Sequence, residues 1–269
     1  MGKKIELVRA GSVKSVRADA LGINRKNIYR ISKQQVKDEA LKEAINKVHL
    51  KHPAYGHRRL GLELGINPKR ILRVMRIFGI KPLRRKSHYY TTRSTSHHTY
   101  TNLIKDLIVT KSNQLWCSDL SYIKFQGITW YLATIEDIFT RQVVAAQMGK
   151  HHNSELVFQT IRQAIILTKE TPEIFHSDQG TEFMAKVCTD YLEALSTKIS
   201  VSDKASPWQN GYQESFFGKF KDEIGDLNRF ETVGELIEAV YQQIHYYNYD
   251  RIHTKLKMPP AVYAQLVKE

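Results

Sequence analysis

This 269-residue sequence predicts a mixed α/β sheet covered by helices, preceded by an all-α helix-turn-helix region. Three observations lead there. Residues 115–149 hold three successive strand-like runs joined by short turns, and from 153 onward helical and strand patterns alternate. The first hundred residues are strongly basic and contain the same helix, turn and basic-helix pattern twice. With 42% hydrophobic and 10% aromatic residues the composition is globular, and no stretch approaches the ~20 apolar residues that span a bilayer. The start, MGKKIELVRAG, has positive charge but no apolar region behind it, and Cys117 and Cys188 form no CxxC pair. These features predict a soluble protein of a reducing, cytoplasmic compartment, with no membrane partner.

Charge is unevenly distributed. Residues 1–100 hold 24 Lys and Arg against 6 Asp and Glu, while 101–269 hold 17 against 21, within a net charge of +14. No acid occurs between Glu63 and Asp106, a span that carries Lys69, Arg70, Arg73, Arg76, Lys81, Arg84, Arg85, Lys86, Arg93 and Lys105. Such a block is the electrostatic footprint of a polyphosphate partner. Inside it, LGINRKNIYR (21–30) is echoed by LGINPKRILR (64–73). In each copy a helical pattern stops at Gly, Asn offers an N-cap oxygen, and a basic amphipathic helix begins; Pro68 suits the first helical position of the second copy. Ala18 precedes Gly22 by four residues, small where two helices cross closely. The second helices would present Arg25, Lys26 and Arg30, and Lys69, Arg70 and Arg73, to a major groove of double-stranded DNA.

From Arg84 to Asn102 the chain has no aliphatic residue and reads as a linker, whose Tyr89, Tyr90 and Tyr100 sit among cations. Strands follow at 115–125, 129–138 and 141–149, then a helix at 153–169, a strand at 173–178, a helix at 181–195 and a strand at 198–202. A polar loop, DKASPWQNG, leads to helices near 211–225 and 232–248. Glu136 and Asp137 fall where two strands turn, and Asp137 with Arg141 reads as a structural pair. His176, ending an apolar strand, reads first as a satisfied neighbour.

Three acids stand apart. Asp119 lies inside the first apolar strand, where an unpaired charge is expensive to bury. Asp178 ends the fourth strand, and ligands of open α/β sheets gather at the carboxyl ends of strands. Glu214 lies in the helix after the polar loop, thirty-five residues intervening between it and Asp178. Near it, Asn210 and Gln213 read equally as DNA contacts or as capping and solvated residues.

The segments WCSDLSY, HSDQGTEF and NGYQESFFGKFK, with that spacing, resemble the three catalytic motifs of the DDE transposases and retroviral integrases. The chain is most similar to bacterial insertion-sequence transposases of the second-reading-frame type, over roughly 110–265, where Tyr247, Asn248, Arg251, His253, Leu256 and Pro260 echo the family's end. The resemblance implies a ribonuclease-H-like integrase core in which Asp119, Asp178 and Glu214 converge and hold two Mg2+ ions, with Mn2+ as a substitute. It also implies that Lys221, seven residues after Glu214 on the same helical face, lies against the DNA end. Three neighbouring carboxylates raise one another's pKa unless cations sit among them, and hard oxygen donors suit magnesium. Two such ions can activate a water or a 3′ hydroxyl and steady the leaving oxygen, so one site can both cut and join.

The expected organisation is therefore residues 1–35 as a helix-turn-helix, 36–83 as a second helix-turn-helix-like DNA-binding region, 84–108 as a basic linker and 109–269 as the integrase-like catalytic core with C-terminal helices. The expected activity is transposition: binding element ends, freeing a 3′ hydroxyl and transferring it to another phosphodiester. Pairing two ends predicts self-association into a dimer or higher multimer on DNA, and the family suggests an upstream-frame partner protein and a place beside the bacterial nucleoid.

Overall fold

A computed structural model of the chain describes residues 20–22, 33–84, 100–203 and 211–268. Arg25, Lys26, Arg30, Tyr89, Tyr90, Trp208 and Asn210 lie outside the described residues. The chain divides into two compact units, Met1–Lys51 with Leu60–Lys81, and His52–Arg59 with Pro82–Glu269.

The helices of the basic region are α1 (Lys33–Lys51), α2 (His57–Leu64) and α3 (Pro68–Ile77). α1 buries only a narrow stripe, Asp38, Leu41 and Ile45. Asp38 is buried because Arg73 of α3 grips it with two hydrogen bonds, at 2.8 and 2.5 Å, and this guanidinium holds the carboxyl below the usual range. α3 starts as its sequence dictates: the Asn67 side chain accepts from the Lys69 N–H at 2.9 Å and Pro68 occupies the first turn. Ile71, Val74 and Met75 face inward while Lys69, Arg70 and Arg76 are exposed. The internal echo is visible in the backbone, since Gly22 and Gly65 share a φ of about +64°, a left-handed turn that suits glycine. Gly61 precedes Gly65 by four residues, as Ala18 precedes Gly22, and a Cβ there would lie 2.9 Å from both Ile66 O and Pro68 Cγ.

The second unit is built on a five-stranded sheet of order β3-β2-β1-β4-β5. β1 (Leu115–Phe125), β2 (Ile128–Asp137) and β3 (Val143–Gly149) form an antiparallel meander, and β4 (Ile174–Ser177) and β5 (Lys198–Val201) add in parallel on the other side of β1. Alternation along the strands sorts the core into two layers. On one face Trp116, Ile135, Ala145 and Phe175 pack against α4 (Ser154–Thr168) and α5 (Lys186–Ala194) through Val157, Ile161, Ala164, Cys188 and Leu192. On the other, Ile123, Phe125, Trp130, Leu132 and Val143 meet α6 (Gly211–Ile224) and α7 (Val233–Tyr249) through Phe216, Phe217, Phe220, Leu236, Val240 and Ile244. A last helix, α8 (Pro260–Leu266), follows. Among the described residues no helix is long and apolar enough to cross a membrane.

Among the described residues the expected elements form in the expected order, with two corrections. The helix expected over 181–195 begins only at Lys186. Before it, Phe183 turns into the core and the Gly180 carbonyl accepts from the N–H groups of Phe183 and Met184, so the backbone turns first. Asp137 is structural, and its tie to Arg141 runs through the backbone, Arg141 N donating to the Asp137 carbonyl at 2.8 Å, rather than through an ion pair. Its carboxylate accepts from Phe139 N, Thr140 N, Asn113 N and Ser112 Oγ at 2.7–3.1 Å, while the Arg141 guanidinium lies over the Tyr212 ring.

Candidate active site

Pairing of β1 with β4 aligns Leu115 with Ile174, Trp116 with Phe175 and Cys117 with His176. Asp119 and Asp178 each come two residues after the last aligned couple, so the same step along neighbouring parallel strands, spaced about 4.8 Å, brings the two acids side by side. Asp119 is opposite Thr134 of β2, which puts its side chain on the sheet face covered by α6.

Glu214 is in the first turn of α6. The helix is pinned there by its neighbour Gln213, which has no exposed surface. Gln213 Nε2 donates to the Cys117 carbonyl at 2.6 Å, and its Oε1 accepts from Thr134 Oγ1 at 3.1 Å. Cys117 and Thr134 are the strand positions that also locate Asp119. In this conformation Gln213 is inside the protein, tying the Glu214 helix to the Asp119 strand, rather than on a surface that meets DNA. A sequence signal exists: Gln213, Phe217, Phe220 and Ile224 recur at helical spacing, so Gln213 belongs to the apolar stripe of α6.

The electrostatics couple the same groups. Burial pushes the Asp119 carboxyl up to about 7, repulsion from Asp178 and Glu214 adds to the rise, and the Leu120 N–H and Lys221 oppose it. Asp178 is also raised, chiefly by desolvation, although one oxygen accepts from Gly180 N at 2.9 Å and so caps the turn after β4. Lys221 Nζ lies 5.1 Å from the centre of the Tyr122 ring, three residues beyond Asp119. Beside the turn, Glu182 is buried, packs against Gly180 and meets His152 at 3.2 Å; nothing in its sequence position singled it out. His176 is fully buried between Ser200 Oγ and Ser202 Oγ at 2.9 and 3.0 Å, and burial pushes its pKa down to about 4. It is a neutral strut. Among the described residues no three His, Cys, Asp or Glu side chains close into a metal cage in this conformation.

Lys69 and Arg70 stay exposed on α3, whereas Arg73 is engaged by Asp38 with its side chain 44% exposed.

Comparison with known proteins follows the same division. Residues 109–207 and 195–260 match integrase core domain models, and residues 36–88 match an HTH-like domain. The transposase for insertion sequence element IS904 of Lactococcus lactis is 33% identical over 240 residues, covering 84% of this chain and 94% of that protein. A transposase-like protein of Haemophilus influenzae is 31% identical over 193 residues, covering 71% of this chain and 89% of the relative. The cryoEM structure of a simian T-cell lymphotropic virus intasome covers 81% of this chain and 73% of its own, at a TM-score of 0.51 and 15% identity, a likeness of fold. A core whose sheet aligns two aspartates beside a helix-borne glutamate, behind an HTH-like domain, thus belongs to the bacterial insertion-sequence transposases with an integrase core, which are polynucleotidyl transferases.

Proposed function

We propose that Asp119, Asp178 and Glu214 are the catalytic acids of this transposase, and that they serve both strand cleavage, which frees a 3′ hydroxyl, and transfer of that hydroxyl to a second phosphodiester. The observation that carries the proposal is the common step of Asp119 and Asp178 on parallel strands, with Glu214 fastened to the same strand through Gln213. The donor set fits divalent cations: three hard carboxylates, one of them held near neutrality by burial and by the charges of the other two. These three residues would hold two magnesium ions, with manganese as a substitute, and ions bound there supply activation of the attacking oxygen and stabilisation of the leaving one. The protein's own contribution is position. β1 and β4 fix the two aspartates, Gln213 orients α6, and Lys221, over Tyr122, offers a cation to the DNA end.

Residues 36–83 read element ends through Lys69 and Arg70, with Arg73 held in place by Asp38. Arg25, Lys26 and Arg30 of residues 1–35, and Asn210 ahead of α6, carry the same assignment from sequence. Residues 84–108 link this region to the catalytic core at 109–269. Joining two ends requires at least two copies on DNA.

The test incubates the purified protein, with and without magnesium, on DNA flanking its own gene, comparing wild type with Glu214→Gln. Magnesium-dependent nicks at a fixed position, followed by joining of the freed 3′ ends, support the proposal. Nicking without joining leaves a nuclease, and a fully active Glu214→Gln removes the acid assignment.

A further inference from the structure

We propose that a basic cavity on the side of α6 away from Glu214 is a phosphate site that takes one unpaired nucleotide of the DNA substrate. The cavity holds about 720 Å³ and is lined by Glu136, Arg141, Tyr212, Ser215, Lys219 and His253. Tyr212, Ser215 and Lys219 share one stripe of α6, and Lys219 is roughly 140° around the helix from Glu214, so this is not the acid site seen from another angle.

Three polar atoms of the lining, Arg141 Nε, His253 Nδ1 and Glu136 Oε2, have no hydrogen-bond partner among the described residues. Arg141 is 7% exposed, its guanidinium lies 4.2 Å from the Tyr212 ring centre, and its Nε has no hydrogen-bond partner among the described residues. His253 Nδ1 is in the same position. Behind the wall, Arg251 has no exposed surface; its Nε meets both oxygens of Glu223 at 2.8 Å, and its two terminal nitrogens have no partner among the described residues. Arg59 reaches the same Glu223 at 3.7 Å, and its Nε too is without a partner. Four cations, Arg59, Arg141, Lys219 and Arg251, therefore gather around two carboxylates, one of which already serves two arginines.

A buried N–H donor without an acceptor is costly, and Arg141 Nε with Lys219 on the cavity wall, backed by the charges of Arg59 and Arg251, matches an anion that presents several oxygens. The carboxyl of Glu136 does not cancel the excess: burial pushes it up to about 8, so near neutrality it is mostly protonated and can donate. Lys219 is lowered by burial and by Arg251 and Arg59, the mark of cations crowded together. His253 is pushed down to about 3 by burial and the same cations, so it is neutral.

Two features select a nucleotide over a bare ion. Tyr212 keeps 41% of its surface exposed and, with the Arg141 plane, offers a stacking platform at the rim. A second cavity of about 310 Å³, bordered by Arg58, Arg59 and Arg84 together with Asp222 and Glu223, shares Lys219 with the first, so cationic side chains extend beyond the first cavity. The volume suits a single small ligand.

The inference rests on the transposase reading only in naming DNA as the source of the nucleotide. Binding of the full chain, without metal ions, to a duplex bearing a short single-stranded overhang is compared by fluorescence anisotropy with binding to the blunt duplex of the same sequence. The overhang should bind about tenfold more tightly. Lys219→Met and Arg141→Met should each remove that preference, and Lys219→Arg should keep it. Circular dichroism checks folding, and if Arg141→Met fails to fold, Lys219, on the helix surface, decides alone. A deoxymononucleotide should compete for the overhang mode at concentrations where inorganic phosphate does not. Equal binding of the two duplexes, a preference that survives Lys219→Met, or competition by inorganic phosphate as strong as by the nucleotide would overturn the proposal. Because no cleavage is read, these outcomes are independent of whether Glu214→Gln abolishes nicking.

Discussion

Asp119 and Asp178 occupy equivalent steps on adjacent parallel strands, each two residues past the Cys117–His176 couple. The separation of these acids follows from the strand spacing of the sheet together with the turn after β4, which Asp178 caps. Substituting either by Asn should abolish strand cleavage and leave DNA binding near wild type, since neither acid contributes to the basic helices. Electrophoretic binding and magnesium-dependent nicking on the same DNA check both halves. For Asp178→Asn some loss of turn stability near Gly180 accompanies the effect, because one carboxylate oxygen caps that turn.

Gln213→Leu should cost about 1–3 kcal/mol, as the Thr134 hydroxyl and the Cys117 carbonyl lose a buried partner. Cleavage rate should fall by more than DNA affinity, because the helix carrying Glu214 loses its tie to β1. Urea denaturation measures the first effect and single-turnover cleavage the second; unchanged stability would remove the tie from the account.

The buried Glu136 gives stability a pH slope. Its carboxyl is raised from the ordinary value to about 8, mainly by burial, so between about pH 4.5 and 8 the folded state holds a proton that the unfolded state has lost. This group's contribution therefore falls as pH rises through that window and levels off above it. Glu136→Gln should flatten the slope and be more stable than wild type at pH 9, by no more than about 5 kcal/mol. Thermal or urea melts at pH 5, 7 and 9 test the sign.

Gly61→Ala should destabilise the helix-turn-helix by about 1–3 kcal/mol, because the new Cβ meets the Ile66 carbonyl and Pro68 at 2.9 Å. Duplex binding should weaken while a precut substrate supplied at saturating concentration is still joined. An alanine variant as stable as wild type would show that the turn can open without cost.

DNA affinity should fall by about 10³–10⁵ between 50 and 200 mM salt, as for six to ten phosphate contacts. Lys69→Ala and Arg70→Ala should each reduce the slope of log affinity against log salt by about one. Arg73→Ala should also release Asp38, so its effect includes helix stability seen by circular dichroism.

How much of this was legible depends on the range of the interaction. The strands of the meander were readable because alternation and turn residues are local, and α3 because Asn67 and Pro68 write its start. That Asp119 and Asp178 share a step could not be read, since it follows from a parallel pairing reached only after an intervening helix. Gln213 carried a readable signal in its spacing with Phe217, Phe220 and Ile224, hidden by the habit of placing amides outside. The cluster of Arg59, Glu136, Arg141, Lys219, Glu223 and Arg251 had none, because its members are scattered over most of the chain and meet only through the packing of the core.

β1 has a hydrogen-bonded neighbour on either side along its first residues, while α6 begins only three residues before Glu214. Backbone amides around Asp119 can therefore exchange with solvent only when the sheet itself opens, whereas the first-turn amides of α6 lack helical acceptors and exchange through local fraying. Asp119 is as durable as the fold, whereas Glu214 is renewed each time one turn of helix closes. Deuterium uptake would accordingly separate a slow Asp119 from a fast Glu214, with ligand binding showing first as slower uptake at 211–215.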